Sequence, residues 1–136
     1  MSNGIYSKGR EKFLCAQIDW LNDDIKAVLV DAADYTVNLT THEFLSNIPL
    51  IARTGVSDSL ADKTATNGWA GTSSITFQNP TGDVSEAIVI FKDTGDAATS
   101  PLIAYIDSNV QNLPLFINGA KVTVLFDSGV LGIFRI

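Results

Sequence analysis

Two short stretches hold the residue types a hydrolytic site would need. IVIFKDTGDA (residues 88–97) and VTVLFDSGV (residues 122–130) each set an Asp-Thr/Ser-Gly triplet directly after an apolar, β-type run. In aspartic peptidases two carboxylates from such loops lie so close that they share one proton, one serving as acid and the other as base. Two features speak against that chemistry here. Lys92 stands immediately before Asp93, where a peptidase loop has an apolar strand residue. The triplets are also too close in sequence to come from separate lobes, and little chain follows Asp127. Asp, then Thr or Ser, then Gly is equally what a turn after a strand favours, because the carboxylate caps local N–H groups and Gly accepts positive φ. Both triplets are expected to be turns, and no catalytic residue is expected.

Other constellations are as sparse. Asp31, Asp93, Asp107 and Asp127 all close apolar runs; were those ends to converge, four carboxylates would suit calcium, which takes several oxygen ligands. No loop has EF-hand spacing, so solvated turn residues are expected instead, with no metal and no cofactor. His42 is the single histidine, set between Thr41 and Glu43 at an expected helix start, and reads as a surface residue. Nothing matches G-x-S-x-G or a phosphate loop. Cys15, the single cysteine, sits in FLCAQI and is expected as a reduced residue on an apolar helix face. Trp20 is expected in the core, whereas Trp69, among small residues, is either a lid over the core or an exposed anchor.

The elements that position these residues follow from periodicity. In SKGREKFLCAQIDWL (7–21) Arg10, Phe13, Leu14, Gln17, Ile18 and Leu21 recur at three- and four-residue intervals, which predicts one amphipathic helix over about residues 7–20 with Ser7 as its cap. IKAVLVD (25–31) reads as a strand apolar on both faces, and TTHEFLSNI (40–48) as one helical turn opened by Thr40 or Thr41 and closed by Pro49. IARTGVSDSL and SSITFQ alternate weakly as strands, with KTATNGWAGT as a loop between them. EAIVIFKD and PLIAYID flank TGDAATS as a hairpin, and the closing LPLFINGAKVTVLFDSGVLGIFRI gives a second, turned at Asn118-Gly119 and ending in the strand GIFRI. The fold class expected is mainly β: an antiparallel β-sandwich or barrel-like domain with one N-terminal amphipathic helix, residues 1–136 forming a single domain.

A chain of 136 residues buries roughly two thirds of its unfolded surface as one domain, enough for a core without staples. The 15 acidic against 9 basic side chains, formal charge −6, argue against a nucleic-acid footprint. No signal peptide or apolar run long enough for a bilayer is read, so a cytoplasmic site of synthesis and no membrane partner are expected. With 46% hydrophobic residues and a mean hydropathy of +0.19, part of the apolar surface is expected to meet a partner.

K-G-R-E-K-F-L near the start, D-D-I-K-x-x-L-V-D, H-E-F-L-x-x-I-P, E-A-I-V-I-F-K-D-T-G and L-I-A-Y-I-D together resemble a family of small virion structural proteins of tailed bacteriophages, over nearly the whole chain. The resemblance implies a structural role in the particle, most naturally a capsid decoration (cement) protein on the outside of the head. Its implied partners are the major capsid protein or other virion proteins and further copies of itself, as dimer or trimer. A tail or neck component is the nearest alternative; a small carbohydrate-binding adhesion module is one of another class. IVIF, LIAYI and VTVLF are apolar at consecutive positions, so in a two-layer sandwich one face would fill the core and the other would need covering by a neighbour. Ile5, Tyr6, Trp69, Phe134 and Ile136 are the expected interface residues.

Overall fold

The computed structural model describes residues 4–72, 75–78, 80–81, 84–107, 121–124 and 134–135. Among the described residues it is mainly β with antiparallel sheets, one α-helix and no closed barrel. Strand β1 (Gly4–Ile5) leads into α1 (Ser7–Leu14), followed by β2 (Ile25–Val30) and the 3-10 turns Leu45–Asn47 and Leu50–Ala52. Next come β3 (Arg53–Val56), β4 (Thr64–Thr66), β5 (Trp69–Gly71), β6 (Ile75–Phe77), β7 (Ala87–Lys92) and β8 (Leu102–Ile106), then β9 (Val122–Val124) and β10 (Phe134–Arg135). The main sheet has the order β1-β8-β7-β2-β3; two smaller sheets run β10-β5-β4 and β6-β9.

The expected β7–β8 hairpin is present, and β2 is the strand that IKAVLVD implies. Their continuous apolar character has a direct cause, since both faces of the main sheet are buried. Ile25, Ala27 and Leu29 of β2, Ile88 and Ile90 of β7, and Ile103, Ala104 and Ile106 of β8 form a first core with Ile18, Trp20, Leu60, Ala70, Ile75 and Phe77. Val28, Val30, Ala87, Val89, Phe91, Leu102 and Tyr105 form a second core on the opposite face, covered by Tyr6, Tyr35, Leu45, Ile48 and Ala52. The register slips between Ile90 and Phe91, pairing Ile90 with Ala104 but Phe91 with Leu102, so Ile103 and Ala104 both join the first core. The apolar second face of β7 and β8, expected to need a neighbour, is therefore filled by residues 31–52 of the same chain.

Helix α1 is shorter than its periodicity suggests. It ends at Leu14, and Ala16 takes φ 59°, turning the chain. Beyond that turn Ile18 and Trp20 alternate with exposed Gln17 and Asp19, so an extended segment, not a third helical turn, delivers them to the core. Leu14 is left 88% exposed and Cys15 lies on the surface, which corrects the expected core position of that thiol. The cap position is Tyr6, with no side-chain cap, in place of Ser7. Gly9 is the buried residue of the helix, because a Cβ there would stand 2.6 Å from the carbonyl oxygen of Leu102. The helix backbone thus lies directly against β8.

That contact helps to close the sheet edge, which would otherwise offer unpaired backbone to another chain. Gly4 and Ile5 pair with Tyr105 and Ala104, the Tyr6 N–H donates to the Ile103 carbonyl (3.0 Å), and Leu102 N–H donates to the Glu43 carbonyl (2.8 Å). The turn expected at 40–48 is split. Asn38 Oδ1 accepts from Thr40 and Thr41 N–H, and the 3-10 turn starts only at Leu45, where Asn47 Oδ1 accepts from Glu43 and Phe44 N–H. KTATNGWAGT is a hairpin, not a loop: β4 and β5 pair across Asn67 (φ 53°) and Gly68 (φ 83°), both with the positive φ that a tight two-residue hairpin turn demands. The expected turn at Asn118-Gly119 lies outside the described residues; β9 pairs with β6, and β10 with β5.

Candidate functional site

Asp93 ends β7 as a turn residue. Its Oδ1 accepts the Gly95 N–H (2.9 Å), its Oδ2 pairs with Lys26 Nζ (2.8 Å), and Gly95 has φ 90°. The Lys26 ammonium, then the Gly95 N–H, hold this carboxyl below the usual carboxylate range, the opposite of the raised value that one member of a proton-sharing dyad needs. Asp127 lies outside the described residues. The strand-closing aspartates do not converge either. Because β7 runs antiparallel to β2 and β8, Asp31 and Asp107 stand at one end of the main sheet and Asp93 at the other, where its N–H donates to the Asp24 carbonyl. Among the described residues no group of three or more His, Cys, Asp or Glu is placed to hold a metal ion.

An open, mostly apolar cleft of about 500 Å³ lies between the segment leaving α1 and the β4–β5 hairpin. Phe13, Ile18, Trp20, Leu21 and Trp69 line it, with the Asp19 carboxylate as its charged group. Trp20 Nε1–H donates to the Thr64 carbonyl (3.0 Å) and ties the two walls together. The Asp19 carboxylate accepts from Asn22 Nδ2–H (2.8 Å) and from the Leu21 and Asn22 N–H groups, which keeps it anionic. Leu21 is half exposed, and Leu14 projects beside Phe13. A volume in this range with apolar walls and few polar groups is typical of binding sites.

The second feature is a cluster of rings. The Tyr6 and Tyr35 hydroxyls lie 2.9 Å apart, and the Tyr35 hydroxyl lies 2.7 Å from His42 Nδ1. The Tyr35 and His42 rings stack at 5.4 Å, and Tyr105 tilts against Tyr35 at 6.4 Å. Burial raises the Tyr6 and Tyr35 phenols and lowers His42, while Tyr105 is pushed up to about 12, chiefly by burial with Asp107 adding. His42, expected as a free surface residue, is instead half-buried and hydrogen-bonded.

No family model and no curated protein matches the sequence. Of the expected interface residues, Trp69 lines the cleft, and β10 lies beside it with Phe134 opposite Ala70 and Arg135 opposite Trp69. Ile5 and Tyr6 are not with them. Both are buried in the chain's own cores, Tyr6 completely, because β1 adds to β8 and the chain then turns under the 31–52 cover. They leave almost no surface for a neighbour. Ile136 lies outside the described residues. Sequence reasoning missed Phe13 and Leu21 as cleft walls; Asn67-Gly68 was the signal for the hairpin that faces them.

Proposed function

We propose that the protein is a structural component of a tailed-bacteriophage particle, a decoration protein that binds the outside of the head and stabilises it through contacts with the major capsid protein. The observation that carries this reading is the cleft with its exposed apolar rim. With both faces of the main sheet covered from within, exposed Leu21 and half-buried Trp69 line the cleft on a scaffold tied by Trp20, and exposed Leu14 follows the cleft residue Phe13 in the chain. A rim of that kind suits a protein surface, and docking at standard size would remove about 1,200–2,000 Å² from water. The family resemblance in the sequence points the same way. We read the stacking of β5 and β6 over the main sheet as an open sandwich, a stiff support for such a surface. Dimers or trimers would use other exposed apolar residues, Leu50, Ile51 and Val56 among them. The formal charge of −6 favours basic patches on the partner over DNA. The role is non-enzymatic, the protein being made in the host cytoplasm and ending in the virion.

Mass spectrometry of purified particles should find the protein in many copies, and cryo-electron microscopy should place the cleft against the shell. Trp69→Ser combined with Leu21→Asp should leave the fold intact and strip the protein from the head. A handful of copies located at the neck or tail would overturn the decoration reading. Trp69 lining the cleft together with Asp19 favours one other reading, a carbohydrate-binding module. Glycan binding abolished by Trp69→Ala, with no protein on the head, would establish that instead.

A further inference from the structure

All three tyrosines of the chain and its single histidine converge at one place, although they come from three separate segments: Tyr6 from the β1–α1 junction, Tyr35 and His42 from the 31–52 cover, and Tyr105 from β8. We propose that Tyr6, Tyr35 and His42 form a one-way hydrogen-bonded chain that acts as an acid-sensitive latch. It holds the 31–52 cover and the β1–α1 junction on the second face of the main sheet at neutral pH and loosens them on acidification.

The direction of the chain follows from proton accounting. Tyr6 is completely buried, and the Tyr35 oxygen is the partner of its hydroxyl, so the Tyr6 proton points to Tyr35. Tyr35 must then donate its own proton onward, to Nδ1 of His42, which must be the unprotonated nitrogen of a neutral imidazole. In this arrangement each of the two phenolic protons has an acceptor. Protonating His42 places a hydrogen on Nδ1, so three donors face two hydrogen bonds: whether Tyr35 turns its hydroxyl toward Tyr6 or accepts from both neighbours, one phenolic proton is left without an acceptor. An orphaned buried donor is costly, so the folded chain resists the charged imidazole and, once forced to carry it, opens where the orphan lies.

The surroundings give the cation no compensation. Glu43, next in the chain, is engaged by Lys12 of α1 (2.7 Å), and Lys12 also lies over the Phe44 ring. From β8 the facing group is Tyr105, on which Asp107 and Glu86 act, and from the β1–α1 junction it is Tyr6. No carboxylate pairs with His42 among the described residues. Desolvation lowers its pKa further. The segment that would open is fastened at the same place, by the Ser7 N–H to the Leu39 carbonyl (2.7 Å) and by the Leu39 side chain against Gly4.

The test is an imidazole NMR titration of the whole protein combined with hydrogen exchange across the pH range. His42 should titrate below its ordinary value of 6.5. As the pH falls from about 7 to about 5, amides of the 35–42 segment should exchange faster before the strands β2 and β7 do, and the folding equilibrium constant should drop about tenfold per unit of depression. His42→Asn, whose Oδ1 stands at the position of Nδ1 and accepts from Tyr35 but cannot titrate, should fold at neutral pH and lose this pH dependence. A His42 titration at or above 6.5, or the same acid response in His42→Asn, would overturn the latch.

Discussion

Replacing Gly9 by alanine sets two effects of opposite sign against each other. In an exposed helix the change stabilises by about 1 kcal/mol, because alanine loses less backbone freedom on folding. Here the new Cβ would meet the Leu102 carbonyl oxygen at 2.6 Å, the Ile103 Cα at 3.2 Å and the Ile103 oxygen at 3.3 Å. All three are backbone atoms of the sheet and cannot swing aside as a flexible side chain would. The helix must move instead, which strains the Tyr6 N–H to Ile103 bond. Overpacking of this kind costs about 1–3 kcal/mol and outweighs the propensity gain where it exceeds it, so a net loss of about 1 kcal/mol is expected. Urea unfolding at neutral pH, with exposed Arg10→Ala as the helix control, measures it. A Gly9→Ala protein more stable than the parent would refute the reasoning, since propensity would then have won and α1 could not be packed on β8.

Three further outcomes are expected. Ile90→Ala and Phe91→Ala remove neighbouring side chains from opposite faces of β7 and should destabilise by about 2–5 and 3–5 kcal/mol respectively; a near-neutral Phe91→Ala in denaturant titration would mean that the second face is not a core. Gly68→Ala, forced to keep φ 83° at the hairpin turn, should cost about 1 kcal/mol and disturb the Trp69 fluorescence environment, whereas Gly68→Asn should be better tolerated. Because Lys26 holds Asp93 below its unfolded value of 3.8, the pair stabilises at pH above that value and loses its effect as the pH falls through the lower folded value. Lys26→Ala should therefore cost about 1 kcal/mol or less near neutrality and nothing in strong acid, read as converging unfolding midpoints, with the Asp93 carboxyl titrating nearer 3.8.

The strands of the main sheet were legible because Ile25–Val30, Ala87–Lys92 and Leu102–Ile106 are nearly unbroken apolar runs, and such runs imply burial on two faces. What covers the second face was not legible. Tyr35, Leu45, Ile48 and Ala52 sit in an irregular segment with neither helical nor strand period, so nothing local marks them as a lid, and a neighbour was inferred instead. Helix α1 was extended too far because Ile18 continues its helical stripe and also fits the alternation that the chain adopts after Ala16. The Asn67-Gly68 pair carries the turn signal of a hairpin, but strands of three residues are too short to show a period of two. The Tyr6–Tyr35–His42 cluster joins residues far apart in sequence, and only tertiary packing brings them together.

The strand order also sets a timetable for synthesis. The five-stranded sheet is complete once residue 106 has emerged, since its first strand pairs with its last, β8. The smaller sheets are not, because β5 waits for Phe134 and Arg135 and β6 for Val122 to Val124. A nascent chain halted between these points would carry a formed central sheet with β5 and β6 still open on one side, and open strand edges recruit other chains. The strands within the last thirty or so residues therefore close β5 and β6 against pairing between unfinished copies.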